Sequence, residues 1–129
     1  MRLHRKLALS VEIVLAYAHA RWTLRRTDLP STLAALRSGT ATASDTAAVL
    51  TGLYMGNATT RLLRALPADS RCLMCSLVVS RLLDRRGIAS ELIIGVKPGE
   101  RFGAHAWVEI AGQPVLASGG DDFARLVAL

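Results

Sequence analysis

Two residues that could do covalent chemistry frame one stretch of the chain. Asp69-Ser70-Arg71-Cys72 opens an apolar segment with helical spacing, and Ala104-His105-Ala106-Trp107 lies in a strand-like segment further on. A cysteine acts as a nucleophile only as its thiolate. The first turn of a helix favours that form, because its backbone N–H groups are unsatisfied and the helix dipole is positive there. Arg71 adds a neighbouring cation. A histidine carried on an adjacent strand could take the thiol proton and pass it to a leaving group. Cys75, one turn deeper, shares the face of Cys72 but reads as a packing residue, since free cysteine is among the most buried residue types.

Strand alternation puts His105, Trp107 and Glu109 on one face and Ala106, Val108 and Ile110 on the other. An imidazole among apolar neighbours needs a partner, and a cysteine–histidine pair works best when a third group holds the imidazole tautomer. If Ala111-Gly112 is a two-residue hairpin turn, Ile110 pairs with Gln113 and His105 falls opposite Ser118, beside Ala117. No carboxylate stands there; the nearest are Asp121 and Asp122. Glu109 lies roughly 13 Å from His105 along the strand, at about 3.3 Å per residue, too far to touch it. His4 and His19 fall in the first helix and carry no comparable pattern.

The elements that must position this pair follow from the rest of the pattern. Residues 7–26 predict a first helix, with Leu7, Val11, Val14, Leu15 and Ala18 at helical spacing and hence on a buried face. Pro30 breaks it, Ser31 can cap a short helix through Leu36, and the polar residues 38–45 predict a mobile loop. A third helix starts at Thr46 and resumes after Gly56-Asn57 until Pro67. Asp69 or Ser70 caps the central helix, which ends at Arg85-Arg86-Gly87. Residues 90–96 and 104–110 predict strands, Gln113 to Leu116 an antiparallel return, and Phe123 to Leu129 a short closing element. Helices first, then one helix and a small antiparallel sheet, is an α+β layout in a single domain over residues 1–129, with a helical part at 1–67 and the central helix and sheet at 68–129.

Composition narrows the setting. With 129 residues and 51% hydrophobic content the chain can bury a core of its own. The net charge of +6 suits an acidic partner. Residues 1–20 imitate a secretory signal, but Glu12 interrupts the apolar run and the helical pattern continues through Trp22. The run is also too short for a membrane span, which needs about 20 apolar residues. Two cysteines three apart cannot close a loop, which fits a reducing, cytoplasmic compartment.

Arg71-Cys72-Leu73, Ser76-Leu77-Val78, residues 82–88 (LLDRRGI), residues 91–96 (ELIIGV), Phe102, and residues 104–109 (AHAWVE) followed by Gly112 together resemble the B protein of lasso peptide biosynthesis, a transglutaminase-like cysteine protease. The resemblance covers about Asp69 to Leu116. It implies a papain-like or transglutaminase-like fold and a cysteine peptidase that removes the leader from a ribosomally made lasso precursor, so that a separate cyclase can close the macrolactam. It further implies the split form, in which a separate small recognition protein binds the leader. The family motif puts the nucleophile on Cys72 and the base on His105, and needs no metal and no cofactor. Its aspartate, twelve residues after the histidine, would fall on Ala117. Either Asp121 or Asp122 substitutes, or the pair works as a dyad. The family's preference for a threonine next to last in the leader implies a small pocket near the thiol, which Phe102 and Trp107 could line.

Three rival readings use the same residues. Cys72-Leu73-Met74-Cys75 is a C-x-x-C at a helix start, as in thiol-disulfide oxidoreductases, but no strand leads into it and His105 is left unexplained. Cys72, Cys75 and His105 are one ligand short of a usual zinc site. A non-catalytic module that binds an acidic leader or nucleic acid through its basic helices remains a third reading, and salt-sensitive binding that survives Cys72→Ala is its signature.

Overall fold

The computed structural model describes residues 2–66, 72–97, 103–116 and 124–129. Four helices precede a sheet: α1 (Arg2–Arg26), α2 (Leu29–Leu36), α3 (Thr46–Ala65) and α4 (Cys72–Arg85), then β1 (Glu91–Lys97), β2 (Gly103–Ile110), β3 (Gln113–Pro114) and β4 (Ala124–Ala128). The strand order is β3-β2-β1-β4, and the β1–β2, β1–β4 and β2–β3 pairings are antiparallel. The expected α+β class is the one observed.

α4 is the hub. Leu77, Val78, Val79, Leu82 and Leu83 are fully buried, an all-round apolar pattern that suits a helix covered on every side. One cluster joins Val78, Val79, Leu82 and Leu83 to Ile13 of α1, Met55 and Leu63 of α3, and Val108 and Ile110 of β2. A second joins Met74 and Leu77 to Ala20, Leu33, Leu36 and Leu92. The sheet therefore turns its Leu92, Val108 and Ile110 face toward the helices. Gly87, at a φ of 73°, ends α4 as expected of a glycine in the left-handed region.

Several expectations need correction. Leu7, Val11, Val14 and Leu15 point to solvent, with Leu15 61% exposed, while α1 buries Ile13, Ala16 and Ala20. The helix is apolar on two opposite sides. The side with small residues can approach α4 closely, and that side enters the core. α2 starts at Leu29, capped by Asp28, whose Oδ1 accepts from Ser31 N at 2.9 Å; Pro30 sits in the first turn, where its missing N–H costs nothing. α3 does not break at Gly56. The polar segment after α2 is tied down: Ser38 N donates to Asp84 Oδ2 at 2.8 Å, and Thr42 N and Ala43 N both donate to the Gly87 carbonyl. The hairpin turn is the expected one, with Ile110 paired to Gln113, but ladder pairing stops at Pro114. The closing element crosses to the far side of β1, where Leu92 and Leu129 exchange two backbone hydrogen bonds of 2.8 Å.

Glu12, the charge that interrupts the apolar run of α1, clamps α1 to the end of α4. Arg86 donates to both its oxygens, at 2.6 and 3.0 Å. The Arg86 hydrogen bonds hold the Glu12 carboxyl below its ordinary ionisation range, against the opposing effect of partial burial. A depressed native pKa contributes stability that is complete above the unfolded-state value and is lost as pH falls through the native one. Urea denaturation should therefore find Glu12→Gln less stable than wild type by about 0.5–1 kcal/mol at pH 7. The two curves should converge once the pH drops below the native ionisation of Glu12.

Candidate active site

Cys72 is the first residue of α4, and His105 lies in the middle of β2. Antiparallel pairing brings them together. Along β2, Ala106 and Val108 turn their backbone groups away from β1. Val108 O accepts from Val115 N at 2.9 Å. Two residues earlier β3 no longer reaches, and the Ala106 N–H donates instead to Cys72 Sγ at 3.3 Å. An edge N–H that would otherwise go to water is thus spent on the sulfur. The thiol is held beside the residue that follows His105.

Cys72 and His105 are both half-buried, and both line a cleft of about 280 Å³ with Thr60, Arg64, Cys75, Ala106 and Leu116. Gly95 stands opposite His105 in β1, so no cross-strand side chain crowds the imidazole. On its own strand the imidazole stacks on Trp107, with ring centroids 5.9 Å apart and planes 25° from parallel. Trp107 is buried and its Nε1 donates to Glu109 Oε2 at 2.7 Å, so a carboxylate locks the indole on which the imidazole rests. The alternation of His105, Trp107 and Glu109 on one face is as expected. Trp107 itself supports His105 from below and is not among the residues lining the cleft. Cys75 is 5% exposed and joins the core cluster, while also forming part of the cleft wall.

Six of the residues singled out lie outside the described ones: the helix-capping pair Asp69 and Ser70, the neighbouring cation Arg71, the pocket residue Phe102, and the alternative orienting carboxylates Asp121 and Asp122. Two contributors had not been foreseen. Thr60 and Arg64, one turn apart near the end of α3, form the wall across from β2. Their i,i+4 spacing was visible, but nothing local marked α3 as facing Cys72. Among the described residues no carboxylate lines the cleft.

Chemically the arrangement offers a thiol at a helix start, an imidazole on a braced strand, and a neighbouring wall with one cation. Such a set can form and break a thioester. The family model for the transglutaminase-like superfamily matches residues 12–128. The chain belongs to that superfamily, which includes cysteine proteases and acyltransferases. Among curated proteins, and among solved structures, nothing matches the chain. Among the described residues no helix is long and apolar enough to cross a membrane.

Proposed function

We propose that the chain is a cysteine peptidase that releases the leader from a ribosomally synthesised lasso precursor. The observation that carries this reading is the 3.3 Å contact between Cys72 Sγ and Ala106 N at the mouth of a cleft shared with His105. Nothing in a dithiol oxidoreductase would require a histidine there, whereas a peptidase needs one.

In the proposed reaction His105 accepts the thiol proton and Cys72 Sγ attacks the carbonyl at the leader–core junction. The imidazolium then protonates the leaving amine as the C–N bond breaks, leaving the leader as a thioester. Water, losing a proton to the same imidazole, frees the leader acid and restores the thiol. The Cys72 backbone N–H, one of the orphan donors of the first helical turn, is the candidate oxyanion donor. Asp121 or Asp122 is the candidate orienting carboxylate.

A separate leader-recognition protein as partner is supported by the outer side of α1. Leu3, Leu7, Val11, Leu15 and Trp22 are exposed in one stripe, roughly 30 Å long at about 1.5 Å per residue. Contiguous apolar surface of that extent marks an interface. The cyclase that closes the core would act next on the freed amine.

The test is to incubate the chain with a leader–core precursor, with and without a leader-binding protein, and to weigh the products. Two fragments whose masses sum to the precursor plus one water are expected, with faster turnover when the partner is present. An adduct to an added amine in place of water would indicate acyl transfer. Binding of leader with an intact precursor under every pairing would make the chain a binding module.

A further inference from the structure

Several arginines of the fold are engaged. Arg86 holds Glu12, Arg81 donates to the Leu36 carbonyl at 3.0 Å, and Arg37 donates to the Ser90 and Leu129 carbonyls at 3.2 Å each. Arg64 differs. It is exposed in the last turn of α3, with no hydrogen bond or ion pair to another described residue, and it lines the cleft that holds Cys72 and His105. A cation at a helix C-terminus is favoured by the dipole alone. Arg61, three residues earlier on the same helix, lines a different groove with Lys6 and Tyr54. The dipole does not explain why one of the two stands in the thiol cleft.

We propose that Arg64 selects substrates presenting a carboxylate within a residue or two of the scissile carbonyl. This rests on the peptidase reading of Cys72 and adds the chemistry of what the cleft accepts. An arginine cannot act as the acid or base here, because its guanidinium does not give up a proton in the working pH range. Its fork matches a carboxylate in two parallel hydrogen bonds, whereas the Thr60 hydroxyl on the same wall spends its proton on the Gly56 carbonyl and leaves the anion to Arg64. Within the described lining no acidic side chain competes for it. In a partly enclosed cleft the attraction is stronger than in bulk water, yet still screened. The preference for an anion over its neutral counterpart should be about three- to tenfold.

Two alkylating agents test this without a known precursor. Iodoacetate and iodoacetamide react with a thiolate by the same displacement: the sulfur–carbon bond forms, iodide leaves, and only the charge of the reagent differs. Rates at Cys72 are read by peptide mapping, which separates it from Cys75, for folded wild type, Arg64→Gln, Arg64→Lys and Arg61→Gln. The iodoacetate-to-iodoacetamide rate ratio should fall about three- to tenfold in Arg64→Gln. It should be partly retained in Arg64→Lys, which keeps the charge and loses the fork, fully retained in Arg61→Gln, and should decline with added salt in wild type. An unchanged ratio in Arg64→Gln overturns the proposal while leaving the peptidase reading intact. If Cys72 of folded wild type resists iodoacetamide but reacts once unfolded, the nucleophile assignment fails and the selectivity fails with it. With a cleavable precursor in hand, Glu-to-Gln exchanges flanking the junction should lower kcat/KM for wild type and leave Arg64→Gln unmoved.

Discussion

Cys72→Ala is expected to abolish cleavage of the precursor, by on the order of a thousandfold or more, while the protein keeps its fold. The sulfur is the atom that would form the acyl bond, and no other thiol can replace it: Cys75 is 5% exposed and packed in the core. The structural loss is small. The Ala106 N–H loses its sulfur acceptor at the open edge of the sheet, where water can take its place, so thermal or urea unfolding should shift by about 1 kcal/mol or less. His105→Ala should cost a similar factor in rate. Because the two residues act as a unit, the double variant should be scarcely worse than either single one. Cys75→Ala separates the dithiol reading. A dithiol oxidoreductase loses all activity with either cysteine, whereas the peptidase keeps measurable cleavage at lower stability. Asp121→Ala and Asp122→Ala complete the series, with a steep drop for one of them identifying the orienting carboxylate. Full cleavage by Cys72→Ala would end the assignment.

What could be read from the chain without its fold was whatever is encoded locally. The end of α4 at Gly87, the Ile110–Gln113 pairing across Ala111-Gly112, and the alternation that puts His105 over Trp107 each depend on residues within a few positions of one another. The misreadings share a different cause. α1 carries apolar residues on two opposite sides, and periodicity finds stripes without saying which one is buried. The choice was made by the size of Ala16 and Ala20, a packing matter between helices. Arg64 was invisible for the same reason. Its place in the cleft depends on how closely α3 packs against the segment after β3, and that distance is set by Gly52 and by Gly56, which reads locally as a break.

Those glycines carry the second large effect. Gly52 and Gly56 lie one turn apart on the side of α3 that meets the sheet. A Cβ on Gly52 would stand 2.6 Å from Ile110 Cδ1 and 2.8 Å from Val115 Cγ1, whereas on Gly56 it would run into the Val115 carbonyl oxygen, with Leu116 Cδ2 at 3.1 Å. In an uncrowded helix each Gly→Ala change would stabilise by about 1 kcal/mol. Here that gain is set against overpacking, typically about 1–3 kcal/mol and more where backbone must move. Side chains can give way around Gly52, so Gly52→Ala should destabilise by no more than about 2 kcal/mol. A backbone carbonyl cannot, so Gly56→Ala should destabilise by about 3 kcal/mol or more. Chemical denaturation of both variants checks the order, and equal stabilities would show that the approach of α3 to β3 is not tight. The change also reaches the candidate site. Leu116 lines the cleft, and Thr60 Oγ1 donates to the Gly56 carbonyl at 2.9 Å. Pushing α3 away from Val115 therefore moves the Thr60–Arg64 wall relative to Cys72. A folded Gly56→Ala preparation at low temperature should lose the anion preference of Cys72 alkylation together with its stability, linking helix packing to what the cleft accepts.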